Sequence, residues 1–150
     1  MTVCHSAHII LLRSTPIHQV QYKHSCLGAE FDGVNLKTVQ PLTRREYQVG
    51  GSTALLDAMG RTLHRVAARH REKARENSEA RVLVVIITDG QENSSVEFFA
   101  QMVKELVAKL RGQHGWEFIF LEANMDAIAA AAQYAIAPQR AQNFHADGKV

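Results

Sequence analysis

Proline is scarce in this 150-residue chain, with three residues, and cysteine is scarcer, with two. Cys4 and Cys26 are too few for a disulfide framework and point to a reducing compartment. Nothing approaches the ~20 consecutive apolar residues of a membrane span. The N-terminus lacks the basic region and apolar run of a secretory signal, so a cytoplasmic location is expected. No charge sign dominates: 17 Lys and Arg face 15 Asp and Glu, a formal net charge of +2. That balance argues neither for nor against nucleic acid. There is no G-x-x-x-x-G-K-S/T phosphate loop, no G-x-G-x-x-G and no G-x-S-x-G elbow, so nothing supports an enzyme. Repeats and low-complexity stretches are missing too. What is present is a hydrophobic content of 46% in a length that suits one domain with a sizeable core.

The last two thirds of the chain alternates helix and strand patterns. Leu55, Met59, Leu63, Val66, Ala67 and His70 recur at the spacing of one helical face, which predicts a helix over 54–74. Val82 to Thr88, "VLVVIIT", is apolar and rich in β-branched residues. It is too short for most helices and predicts a strand buried on both faces. Ser94 followed by Glu97 has the form of a capping box. The helix it opens would carry Val96, Phe99, Val103, Leu106, Val107 and Leu110 on one face and end before Gly112. "WEFIFL", residues 116–121, predicts a second buried strand, parallel to the first and next to it. Residues 126–137 predict an alanine-rich helix stopped by Pro138. This order implies right-handed crossovers and an α/β fold: a doubly wound, mostly parallel, Rossmann-like sheet with helices on both faces. In the first 50 residues, "HIILLR" predicts a strand. "IHQVQYKH" would be its antiparallel hairpin partner, turned at Ser14-Thr15-Pro16, and residues 24–45 read mostly as loop.

Ligands of open parallel sheets bind beyond the carboxyl ends of the strands. Asp89 stands at such an end, and Gly90 permits the turn after it. "GGSTALLDA", residues 50–58, sets two glycines, Ser52 and Thr53 ahead of a helix, where either hydroxyl suits an N-cap. Each stretch alone has a plain reading, a capped helix or a strand-to-loop turn. Together, GGST opening a helix and an apolar strand running into Thr88-Asp89-Gly90 resemble the von Willebrand factor type A family. The runs "PLTRREYQVGGSTALLDAMGRTLHRV" and "GWEFIFLEANMDAIAAAAQYAIAPQRAQNFHAD" are similar to a bacterial, cytosolic-looking subgroup of it, over about residues 40–147.

The resemblance implies a protein-binding module with a metal-ion-dependent adhesion site built from three loops. One carries Asp-x-Ser-x-Ser, one a threonine before a helix, matched by Thr53, and one an aspartate after a buried strand, matched by Asp89. Ser52, Gly90, Glu92, Asn93 and Glu122 are candidates for supporting the site or touching a partner, although Glu122 stands where the resembling subgroup has a small residue. The implied cofactor is Mg²⁺, which takes hard oxygen ligands and keeps several waters. In the family it leaves one position for an acidic residue of a partner protein.

The first loop does not match. The aspartates are Asp32, Asp57, Asp89, Asp126 and Asp147, and none begins Asp-x-Ser-x-Ser. The chain is read as starting after the family's first strand and helix, which leaves residues 1–40 poorly matched in the single domain of 1–150. A central strand would then be missing, and each unpaired backbone group beside it would cost about 1–3 kcal/mol. Three explanations stand open: a truncated, non-functional remnant, a sheet closed by re-pairing, or another chain completing the sheet. The site is expected to be degenerate and Mg²⁺ weak, since one hydroxyl and one carboxylate do not make an octahedral shell. The alternative function is a Mg-dependent phosphate-handling hydrolase using Asp89, with Glu92 as the acid closest to it in sequence.

Glu122 reads as a solvated loop residue in preference to a third site oxygen. The eight histidines, including the pairs His5 with His8 and His64 with His70, complete no zinc pattern. The basic helix face of Arg61, Arg65, Arg69, Arg71, Lys73 and Arg75 is offset by Glu72, Glu76 and Glu79 and lacks interleaved aromatics. It reads as a solvated face, with no nucleic-acid partner and no membrane expected.

Overall fold

The computed structural model describes residues 7–13, 18–23, 28–35, 53–74, 81–123 and 126–145. Strand β4 (Val82–Thr88) pairs in parallel with β5 (Glu117–Ala123), Leu83 opposite Glu117 and Thr88 opposite Glu122. The predicted adjacency of the two strands is therefore correct. A short strand, β6 (Ala141–Phe144), continues the parallel set on the far side of β5. On the other side of β4 lies β1 (Ala7–Arg13), antiparallel, with Ala7 opposite Thr88 and Arg13 opposite Val82. The sheet order is β1-β4-β5-β6. The position beside β4, expected to be a gap, is occupied by β1: all seven residues of β4 have partners in it.

The first 50 residues depart from expectation in two ways. Strand β2 (His18–Lys23) hydrogen-bonds not to β1 but to β3 (Gly28–Asn35), as a separate antiparallel sheet packed against β1. Residues 28–35, within the stretch 24–45 read mostly as loop, are a strand. Cross-strand pairing with β2 overrides the weak strand preference of glycine and aspartate.

Helix α1 (Leu55–Ala74) lies where its apolar spacing placed it, and Leu55, Met59 and Leu63 are buried. Helix α2 (Ala100–His114) begins later than predicted and ends at Gly115, not Gly112. Gly115 is left-handed, φ 63°, a conformation that costs glycine nothing, and the N–H of Trp116 closes on Leu110 O at 3.3 Å. Helix α3 (Ala127–Gln133) is half the expected length: the chain turns at Ala135, φ 57°, and Pro138 starts a 3₁₀ turn.

All three helices meet one face of the sheet. Val82, Val84 and Ile86 of β4 and Phe118 and Phe120 of β5 form a single core with residues of α1, α2 (Val103, Val107, Leu110) and α3 (Ala127, Ala131). The alternate residues Leu83, Val85, Ile87, Ile119 and Leu121 are only half-buried. Helices on both faces and strands buried on both faces are thus corrected among the described residues. The physical reason is the strand order: β4, β5 and β6 advance in one direction, so crossovers of one hand deliver α2 and α3 to one side, where α1 shares their core. The fold is mixed α/β. Among the described residues no helix is long and apolar enough to cross a membrane.

Candidate functional site at the carboxyl edge of the sheet

Two loops meet beyond the carboxyl ends of β4 and β5, and side chains rather than local caps join them. The N–H of Thr53 donates to Asn93 Oδ1 at 2.8 Å, and the N–H of Asn93 returns to Thr53 O at 3.0 Å. The next free amides of α1 are taken from the same distant loop. Leu56 N–H donates to Glu92 Oε2 at 2.8 Å and Asp57 N–H to Ser95 Oγ at 3.0 Å. A helix start leaves such donors unpaired, and its dipole favours carboxylates there. The expectation that Thr53 Oγ caps this helix is incorrect: that oxygen is buried without a hydrogen-bond partner. Ser52, the other expected cap, lies outside the described residues.

Glu92 uses both oxygens fully. Oε1 accepts from Ser94 N–H (3.0 Å) and Ser95 N–H (2.8 Å), and Oε2 accepts from Ser95 Oγ–H (2.8 Å) and Leu56 N–H. A carboxylate offers about four lone-pair sites, so Glu92 has none left for a metal or a substrate.

Asp57 mirrors it from α1. It is 2% exposed and accepts the N–H groups of Val96 on Oδ2 (3.0 Å) and of Glu97 (3.0 Å) and Phe98 (2.8 Å) on Oδ1. Burial pushes its carboxyl up, but those three donors and the nearby Arg61 guanidinium outweigh burial and hold it below the usual aspartate value. The predicted capping box at Ser94 and Glu97 does not form. Ser94 Oγ has no partner, α2 has no side-chain cap, and Asp57 satisfies the amides that a longer helix would have used. Glu97 pairs with Arg61 instead.

Thr88 ends β4 in a local turn: its Oγ–H donates to Gly90 O at 2.9 Å and its Oγ accepts Gly90 N–H at 3.3 Å. Asp89 between them is half-buried and engaged in interactions of its own. The lock between Thr53 and Asn93 puts Thr53 on the edge that carries Asp89, so the two expected site residues share that edge.

Glu122 is not a solvated loop residue. It sits within β5, 3% exposed, with Oε2 unpartnered. Burial and then the charge of Asp126 push its carboxyl up. It lines a cleft of about 280 Å³ with Leu55, Gly90, Glu92, Phe120 and Tyr134. The Tyr134 phenol is pushed up to about 12 by burial, then by Glu92 and Glu122. Asp126 is occupied as the α3 cap, accepting Ala129 N–H at 3.1 Å.

These residues fit Mg²⁺ poorly. Thr53 supplies one orphan hydroxyl, Thr88 is spent on its own turn, and Glu92 is saturated. Among the described residues no group of three or more His, Cys, Asp and Glu side chains is placed to hold a metal ion. Sequence reasoning missed Asp57, Ser95 and Tyr134. Tyr134 was readable, since Ala127, Ala131 and Tyr134 keep helical spacing. Asp57 gave no local signal, because the amides it accepts lie 39–41 residues away, and the Ser95 contact with Asp57 N–H likewise spans 38 residues. No family model, no curated protein and no solved structure matches the chain.

Proposed function

We propose that this chain is a protein-binding module of the von Willebrand factor A type, with a degenerate metal-ion-dependent adhesion site at Thr53 and Asp89. One observation carries the binding reading. The three bonds from Asp57 fix residues 96–98, and the adjoining side chains of Val96 and Phe99 stay 82% and 67% exposed. A loop that is held rigid while it presents an aromatic and a β-branched side chain to water has little ordering entropy left to lose on association. Aromatic anchors of that kind concentrate binding energy. The hydrolase reading has no comparable support, because Glu92, its second acid, is committed to four hydrogen bonds. In this reading the module works in the cytoplasm and meets its partner through the carboxyl edge of the sheet.

The test is site-specific photo-crosslinking in the producing cell. A photoreactive residue at Val96 should give a discrete protein adduct, and one at exposed Ala132 on α3 should not. Phe99→Ser should weaken the Val96 adduct without changing the melting temperature. The same adduct pattern from both sites would defeat the proposal.

A further inference from the structure

The cleft at the end of β5 has the composition of a counter-charge site. Its lining includes the carboxylates of Glu92 and Glu122, the phenol of Tyr134 and the amides of Gln91 and Gln133, and among the described residues no Lys, Arg or His. Leu55 and Phe120 supply an apolar wall. Glu122 is the decisive residue. Only 3% exposed, it keeps one carboxylate oxygen without a partner. Buried polar atoms in folded proteins are almost always partnered, so an orphan of this kind calls for an explanation.

We propose that this cleft binds an organic cation, the primary ammonium head of an alkylamine, with Glu122 as its counter-ion. An ammonium carries three donors and needs three acceptors. Among the lining residues, the Glu122 carboxylate, the Tyr134 phenol oxygen and an amide carbonyl of Gln91 or Gln133 can supply that number. The alkyl stem lies against Ala130, the half-buried apolar residue of the lining, while the head stays in the polar part, the arrangement that lysine-like chains adopt. About 280 Å³ suits a group of that size. A divalent metal fits less well. Glu92 has no lone pair to give, Tyr134 stays a neutral phenol at physiological pH, and one carboxylate does not replace the water shell of Mg²⁺. The proposal stands apart from the family reading, since none of its argument uses Asp89 or Thr53.

Affinity should follow the ionisation of Glu122. Among the described residues, Asp126 at the start of α3 acts on it and Glu92 of the loop after β4 lines the same cleft, with Tyr134 beyond α3 neutral throughout. Burial and Asp126 raise Glu122 above the ordinary glutamate value. Binding should therefore strengthen as pH rises past the ordinary glutamate value and through the raised one, and then level off.

The experiment is a titration of the isotope-labelled full chain, followed by backbone amide chemical shifts. The probes are n-butylammonium, 1-butanol and a capped glycyl-lysyl-glycine peptide. Butylammonium should shift the amides of Gly90, Glu122 and Tyr134 saturably, and butanol should not. Glu122→Gln, isosteric and neutral, should weaken binding roughly tenfold or more, the loss expected for one charge-assisted hydrogen bond. Tighter binding of the peptide assigns the site to a partner's lysine side chain, and tighter binding of butylammonium assigns it to a free amine. In wild type, binding should fade in acid, a readout that does not depend on how the variant folds. Equal shifts from butanol, undiminished binding by Glu122→Gln, or line-broadening of these amides by Mn²⁺ with no effect of butylammonium would each overturn the proposal.

Discussion

Asp57 offers the sharpest test of how the site edge is held. Its carboxylate joins α1 to the loop before α2 through three backbone N–H groups, at 3.0, 3.0 and 2.8 Å. Hydrogen bonds to a charged group contribute about 1.5–3 kcal/mol each, but three that share one carboxylate are not additive. Asp57→Ala leaves three donors without their acceptor and should cost about 3–5 kcal/mol, the range for breaking a buried charged pair. That is a large part of a typical stability of ~5–15 kcal/mol. With about 2–4 °C per kcal/mol for a chain of this length, Tm should fall by roughly 6–20 °C. Asp57→Asn is the subtler probe. Its carbonyl oxygen can keep the bonds from Glu97 and Phe98, but its amide then meets the Val96 N–H donor to donor, a loss of about 2 kcal/mol.

The pH dependence of that loss has a definite sign. The carboxyl of Asp57 is depressed in the fold, because the amide donors and Arg61 outweigh burial. Its contribution is therefore full above the unfolded aspartate value of ~3.9 and is lost as pH falls through the lower folded value. Urea unfolding followed by the fluorescence of buried Trp116, the single tryptophan, reads both effects. The gap between wild type and Asp57→Asn should be wide at neutral pH and should narrow in strong acid. A variant within ~0.5 kcal/mol of wild type at neutral pH, or a gap that is constant with pH, would refute the carboxylate as the clasp.

Three further outcomes are expected. A Cβ at Gly60 would overlap ring atoms of Phe98, so Gly60→Ala should lower stability by about 1–3 kcal/mol. Alanine ordinarily stabilises a helix interior relative to glycine, so an unchanged or raised Tm would contradict the packing. Glu122 has the opposite linkage to Asp57: its folded carboxyl is raised, so stability is lost as pH rises from the unfolded value of ~4.3 through the folded one. Glu122→Gln should therefore raise Tm at neutral pH, with the gain vanishing below ~pH 4; no gain at neutral pH would show that the buried charge is already compensated. Calorimetric titration with Mg²⁺ or Mn²⁺ should show no micromolar site, and saturable binding abolished by Asp89→Ala would mean that the saturation of Glu92 does not exclude a metal.

Much of the sheet was legible because its signals are local. The β-branched run of β4 and the short "EFIFL" of β5 could only be buried strands, and the face of α1 set its boundaries closely. What failed depended on distant partners. Val96 and Phe99 continue the spacing of Val103, Val107 and Leu110, so periodicity extended α2 backwards over them. Their segment is not helical: Asp57, some 40 residues earlier, accepts its amides, and no helical pattern records so distant a partner. β6 was missed for a related reason: "AQNF" has no apolar alternation and becomes a strand by pairing with β5. β1 beside β4 was likewise unreadable, since an apolar strand does not state which edge it will join or in which direction.

Glu122 is different, because its signal was present and was overlooked. Strand side chains alternate between faces, so Phe118, Phe120 and position 122 must point the same way. Phe118 and Phe120 were readable as core. By parity alone, the carboxylate after "IFL" belonged on the buried face, at the end of the sheet where ligands bind. A solvated residue would have required the strand to end first, and Thr88 opposite Glu122 keeps the ladder intact to that point. A carboxylate carried into the core by strand parity must be protonated, paired or met by a ligand. Asp126, the charge nearest in sequence, repels it. Protonation relieves it in acid, and at neutral pH the cation proposed for the adjoining cleft would supply the pairing.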